Sequence, residues 1–204
     1  MYDFSVAMGL VDFIPVILFG ISMALLQSDL YSRMSKGTFA LFAAGMVDIF
    51  AAGFLKALWK TLYAAGVCDF QVLNTLFLPL QSLGFLMAGI GLIRALTMKK
   101  SAMLAVPPVF GGTFVLIGMM VAGLGAICSC LSILAARMKK KGLIAVFAMA
   151  FVVYMGMGYM SSQDSTSALV NWIEQGINCL GQILLLTGVY SLHKAGLAEF
   201  DWRK

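Results

Sequence analysis

Nine residues of this 204-residue chain pair a chemically useful side chain with an apolar setting. Asp12, Asp48 and Glu174 are carboxylates inside long apolar runs, and Lys56 stands two helical turns beyond Asp48. Asn171, Glu174, Asn178 and Gln182 are spaced three, four and four, which places them on one face of a helix. Asn74 and Gln81, seven apart, form a shorter stripe of the same kind. Polar and ionised groups are costly in hydrocarbon, so each marks a pathway, a site or a structural pair. An ion pair of Lys56 with Asp12 or Glu174 is the structural option. A cation or proton site is the functional one, and Asp48, with no cation at its depth, is its best candidate. Amides offer two donors and an acceptor, a match for a neutral polyhydroxyl or amide-bearing solute. They are also ordinary hydrogen-bonding glue between membrane helices.

The surrounding composition is 61% apolar and 11% charged. Soluble domains run at about 45–50% and about 25%. One small core cannot hide the surplus, so it faces lipid. This excludes a cytosolic enzyme, a disulfide scaffold and a nucleic-acid binder. The fold class is all-α, a polytopic membrane bundle, and its first partner is the lipid bilayer.

Residues 8–28, 38–60, 73–93, 142–160 and 168–191 are each long enough to cross. The stretch 102–136 is too long for one crossing and carries Pro107-Pro108 and Gly118. Twelve of the 14 basic residues fall in four clusters: Arg33 and Lys36; Arg94, Lys99 and Lys100; Arg137 and Lys139 to Lys141; and Lys194, Arg203 and Lys204. Basic residues mark cytoplasmic loops, and all four clusters share one side only if 102–136 crosses twice. Seven spans are therefore expected, N-terminus outside and C-terminus cytoplasmic, with six spans as the alternative. The first span lacks a basic leader and is read as retained, not as a cleaved signal.

Two segments look duplicated. With an offset of 105, Lys36, Gly37, Ala40, Phe42, Ala43, Val47 and Gly53 meet identical residues, seven identities in 18 positions. With an offset of 97, Asn74, Leu83, Gly84 and Gly91 meet Asn171, Leu180, Gly181 and Gly188. The implied plan is a three-helix repeat over 1–96, a linker helix over 97–117, a second repeat over 118–192 and a tail over 193–204. Parallel repeats of this kind hold substrate near the midplane where they meet.

Trp59, Asp69 and Asn74, in the runs Leu-Trp-Lys-Thr-Leu-Tyr (58–63) and Cys-Asp-Phe-Gln-Val-Leu-Asn (68–74), resemble the Trp…Asp…Asn spacing of SWEET-type sugar transporters. The turn Ser35-Lys36-Gly37-Thr38 is similar to that family's basic turn. The resemblance covers about 60 residues of the first half and little of the second. It implies a 3+1+3 bundle in which Asn74, Asn171 and Trp59 contact a sugar. Pro15 alone stands for the family's helix prolines, and no Trp stands opposite Trp59. Opsin-like and other seven-helix bundles stay open beside it.

The expected function is a transporter or facilitator of a small polar solute, rocking one bundle against the other around Asn74, Gln81, Asn171, Asn178, Trp59 and Asp48. The alternatives are an intramembrane lipid-modifying enzyme, with Asp48 and Glu174 as acid and base, and a sensor or accessory subunit. No metal or cofactor is expected. Cys68, Cys128, Cys130 and Cys179 form no ligand motif, and His193 is the single histidine. Self-association is left open.

Overall fold

A computed structural model describes residues 3–97, 112–160 and 167–201, all of them helix or short connection. Eight helices follow one another: α1 (Val6–Val11), α2 (Phe13–Leu30), α3 (Lys36–Ala64), α4 (Gln71–Thr75), α5 (Phe77–Thr97), α6 (Thr113–Arg137), α7 (Gly142–Met160) and α8 (Ala168–Lys194). The pairs α1–α2 and α4–α5 each make one interrupted span. Both interruptions have the same cause. A proline lacks an amide hydrogen and crowds the carbonyl four residues earlier. Pro15 and Pro79 lie three residues after the breaks at Asp12 and Leu76.

Four helical units, Val6–Leu30, Lys36–Ala64, Gln71–Thr97 and Thr113–Arg137, are long and apolar enough to cross a bilayer. α7 is a shorter apolar helix, and α8 carries the polar stripe. Large apolar side chains such as Ile14, Ile17, Val47, Phe114, Val152 and Ile183 point outward. In water such a surface would aggregate; in lipid it is the solvated face. The chain is a multi-pass helical membrane protein.

The helices form a closed ring in chain order, with α8 returning to α1 and α2. Directions follow from the contacts. Gln175 bonds to Met8 at one end of the bundle and His193 meets Asp29 at the other, so α8 runs parallel to α1–α2. α3 is antiparallel to both α2 and α5: Gly53 faces Val16, and Gly45 faces Gly84 and Ala88. α5 and α6 run the same way, since Gly123 abuts Phe85 and Leu86, and Gly89 abuts Gly123 and Ala126. Thr97 and Thr113 therefore lie at opposite ends of the bundle. Arg33, Lys36, Arg94, Arg137, Lys139 to Lys141 and Lys194 all gather at one end, called here the basic end.

Helix α6 begins at Thr113 and passes through Gly118 without a break. A second repeat starting at 118, after a turn near that glycine, is corrected accordingly: small, open-faced Gly118 is tolerated within a helix whose neighbours are all good apolar formers. The rest of the expected linker, with Lys99 and Lys100, lies outside the described residues, as do Arg203 and Lys204.

Glycine contacts recur between the halves. Gly91 packs on Phe42 and Gly188 on Phe147, while Gly84 packs on Ile49 and Gly181 on Tyr154. The residues in each pair differ by 105 on one helix and 97 on the other, the two sequence offsets. By contrast Gly156 faces open space.

The two basic turns differ despite similar sequences. Ser35 caps α3 by accepting from the Thr38 amide at 3.3 Å. After α6, Lys139 takes a left-handed conformation at φ 58° and Lys140 donates back to Ala135 at 2.8 Å, a helix stop that usually employs glycine.

Toward the basic end the interior is mainly apolar, with Asp29, Thr38 and Arg94 buried in it. Leu26, Leu30, Met46, Leu92, Leu131, Leu134, Val189 and Leu192 are all fully buried there and through the middle. The segment after α8 turns at Gly196 (φ 84°), tucks Leu197 into this core and lays Phe200 against it.

Candidate functional site

A separate group of polar side chains lies at the opposite end, where both proline breaks occur. Lys60 on α3 is buried and its Nζ lies 2.7 Å from Asp12 Oδ2, at the α1–α2 break. The same ammonium donates to Asn171 Oδ1 at 3.2 Å. Asn171 Nδ2 in turn donates to the Ser167 carbonyl at 2.9 Å, so the amide is oriented by its own helix start. One cation thus ties three helices together. The expected pairing of Lys56 with Asp12 is corrected: Lys60, one turn nearer the helix end, takes the carboxylate. Asp12 sits at the kink that Pro15 imposes, and the kink carries it outward to the depth of Lys60.

Beside this pair is a cavity of about 60 Å³. Asp12, Lys56, Lys60, Glu174, Gln175 and Asn178 supply its polar wall, and Val16, Phe77 and Met157 are among its apolar lining. Lys56 stands with its Nζ 4.2 Å from the Phe77 ring centroid, a cation–π contact made possible by the break before α5. Lys56 makes no ion pair among the described residues, and neither does Glu174. Gln175 is buried; its Nε2 donates to the Met8 carbonyl at 2.9 Å, while its Oε1 has no partner among the described residues.

A carbonyl oxygen buried without a donor costs about 1–3 kcal/mol. This oxygen has no surface open to the hollow. The cavity itself offers a cation, an anion and an amide, held on helices rather than loops.

Of the residues expected to form the site, the structure brings Asp12, Lys56, Glu174 and Asn178 to one cavity and sets Asn171 directly behind it. Asn74 is not with them. It lies in α4, at the end of the bundle, and does not line the cavity. Gln81 is half-buried on α5, also away from it. Trp59 is buried at 2% exposure and donates from Nε1 to Asp69 Oδ1 at 3.0 Å, with Phe4 edge-on to its ring. That places Trp59 as an anchor for the connection between α3 and α4. A pairing of Asn74 with Asn171 across a pseudo-twofold axis is not what the helices build, because the break at Leu76 separates Asn74 from the face that α5 turns inward.

Asp48 lies two turns deeper than Lys56 on α3. It is half-buried, has no ion pair or hydrogen bond among the described residues and does not line the cavity. Asp48 and Glu174 are thus not assembled as a catalytic pair.

Sequence reasoning missed Lys60 and Gln175. Lys60 follows Lys56 by four residues, so the two share a helical face, a visible signal. Gln175 stands beside the polar stripe of α8, not on it, and only its contact with α1 makes it part of the site. Gln182, the last member of the stripe, has a buried Oε1 without a partner one turn below Asn178 and does not line the cavity.

No family model, curated protein or solved structure matches this chain. Composition, ring of helices and lipid-type exterior define its class: a polytopic α-helical membrane protein with a polar cavity toward one end.

Proposed function

We propose that this protein is a transporter or facilitator of a small polar solute, and that the cavity between α1–α2, α3, α5, α7 and α8 holds the solute. The single observation behind this reading is a polar, partly unsatisfied hollow, open on one side, between helices whose outer faces are apolar. Structural pairing alone accounts for Lys60, Asp12 and Asn171; it does not account for Lys56, Glu174 and Asn178. The sealed interior toward the basic end is what an alternating-access carrier would close while its other side is open.

The proposed orientation puts the basic end in the cytoplasm and the cavity end outside, in keeping with the excess of Lys and Arg at one end. Seven crossings fit this orientation. Consecutive helices that run the same way, as α5 and α6 do, put Thr97 and Thr113 at opposite ends of the bundle, in keeping with an odd number of crossings. The recurrent Gly91–Phe42 and Gly188–Phe147 contacts support the reading of α3–α5 and α7–α8 as products of one duplication.

The test is solute uptake into proteoliposomes by the full chain. Glu174→Gln and Asn178→Ala are expected to lower uptake by about tenfold or more, as loss of a direct solute hydrogen bond does. Asn74→Ala is expected to leave it near wild type. Unchanged flux in both cavity variants would reject the site. Orientation has its own check in Cys68, which is exposed at the cavity end. A membrane-impermeant maleimide added outside cells should label Cys68 and should not label a cysteine placed at Lys140.

A further inference from the structure

We propose that the solute is a small zwitterion with a primary ammonium and a carboxylate, of the size of the smallest amino acids. The proposal rests on the reading of the cavity as a solute site and names the chemical class that the site selects.

Charge balance comes first. Asp12 and Glu174 face Lys56 and Lys60, so the fully ionised wall sums to zero. A net ion brought into such a site would leave one charge uncompensated in a low-dielectric interior, which is strongly disfavoured. A ligand with no net charge avoids this, and a zwitterion also makes use of both signs.

The second argument concerns which wall groups are free. Lys60 is committed to Asp12 and to Asn171, and Asp12 to Lys60. Lys56 and Glu174 are not committed to any ion pair among the described residues. Lys56 has the Phe77 ring beneath its ammonium. A ligand carboxylate would receive its hydrogen bonds from Lys56, and a ligand ammonium would donate to Glu174. A primary ammonium has three N–H donors. One reaches Glu174, and another is left for the side-chain oxygen of Asn178 on the same wall. A quaternary ammonium could balance the charge and could not satisfy that oxygen.

Size is the third constraint. The cavity of about 60 Å³ is well under the roughly 150 Å³ of an engineered cavity that admits benzene. A hexose does not fit this state of the site. A compact molecule of a few heavy atoms does.

The experiment uses the full chain in lipid nanodiscs, with binding read by calorimetry and by thermal stabilisation. The probes are glycine, glycolate (anion alone), methylamine (cation alone), glycine betaine (zwitterion without N–H donors) and glucose. Glycine is expected to bind, and the other four to bind about tenfold or more weakly, as expected for a missing charge-assisted hydrogen bond. Glu174→Gln and Lys56→Met, both close in shape to the native residues, should each weaken glycine to a similar degree. Asp48→Asn should leave its affinity unchanged.

Equal binding of glycine with glycolate or with methylamine overturns the zwitterion, as does full affinity for glycine in Glu174→Gln. Betaine binding as well as glycine overturns the assignment of the Asn178 oxygen. If glucose binds and glycine does not, the solute class is wrong while the solute site stands. If no probe binds the wild-type protein and none is taken up by proteoliposomes, the solute site fails as well. The probe series on wild-type protein decides the matter even if Lys56→Met does not fold.

Discussion

Each end of the bundle holds an aspartate against a base from another helix, half-buried Asp12 at one and buried Asp29 at the other, and the two are built for different ends. At the cavity end, Lys60 meets Asp12 at 2.7 Å beside a hollow with unspent polar groups. At the basic end, His193 Nδ1 lies 2.9 and 3.1 Å from the two oxygens of Asp29, whose side chain is 2% exposed. There the neighbours are a closing device: Arg33 Nε donates to the Ala198 carbonyl, and Leu197 is fully buried below it. An ammonium bound to a carboxylate and an amide needs no other partner. The first contact is a strut beside the cavity, and the second, next to the folded-back segment after α8, is a latch at the opposite end.

The strut should show the largest effect. Lys60→Met leaves half-buried Asp12 without its cation, and the expected loss of stability is about 3–5 kcal/mol. Reaction of the buried Cys128 and Cys130 thiols with a fluorogenic maleimide during heating would report the unfolding. The double variant Lys60→Met with Asp12→Leu should recover much of the loss, because no lone charge is left. If the double variant is as unstable as the single, the pair is not the strut described here.

Packing between α3 and α5 comes next. A side chain at Gly84 would run into the backbone of Gly45 and Ile49, so Gly84→Ala should cost about 1–3 kcal/mol. Gly156→Ala, facing open space, should be neutral or slightly stabilising in the same assay. The contrast between two chemically identical changes checks the helix contacts directly.

For the latch, His193→Ala should leave the Asp29 carboxylate without its hydrogen bonds and cost about 1–3 kcal/mol. Its more specific sign is faster trypsin cleavage near Arg33 and Lys194, which a loosened end exposes. Equal cleavage of variant and wild type would mean that the contact holds nothing shut.

Smallest of all, Asp69→Asn weakens the acceptor for the Trp59 indole and should cost about 1 kcal/mol. It should not alter solute uptake, since Trp59 stands outside the cavity. A large uptake defect with little loss of stability would restore Trp59 to the site.

Much of this architecture was legible in the chain. Apolar runs separated by sorted charge gave the helices and the single basic end, because neither feature depends on which helix touches which. Pro15 and Pro79 announce their kinks locally. The glycine and phenylalanine identities at offsets 105 and 97 proved to mark real contacts, since a glycine without a side chain is where two helices can come close. The site was only half legible. Spacing put Glu174 and Asn178 on one face of α8, as the cavity requires. It could not say that Asp12 would choose Lys60 over Lys56, nor that Asn74 would be turned away by the break at Leu76.

By itself, then, the sequence determined a multi-pass helical protein, its sorted charge and its list of costly polar groups. Those follow from composition and one-dimensional periodicity, through the energetics of placing each residue in lipid or water. Only the tertiary structure decided which of those groups share a cavity, which cancel in pairs and which are left unsatisfied. That outcome depends on helix rotation and on kinks of a few ångströms, and charge pairing in a low-dielectric interior changes steeply over such distances.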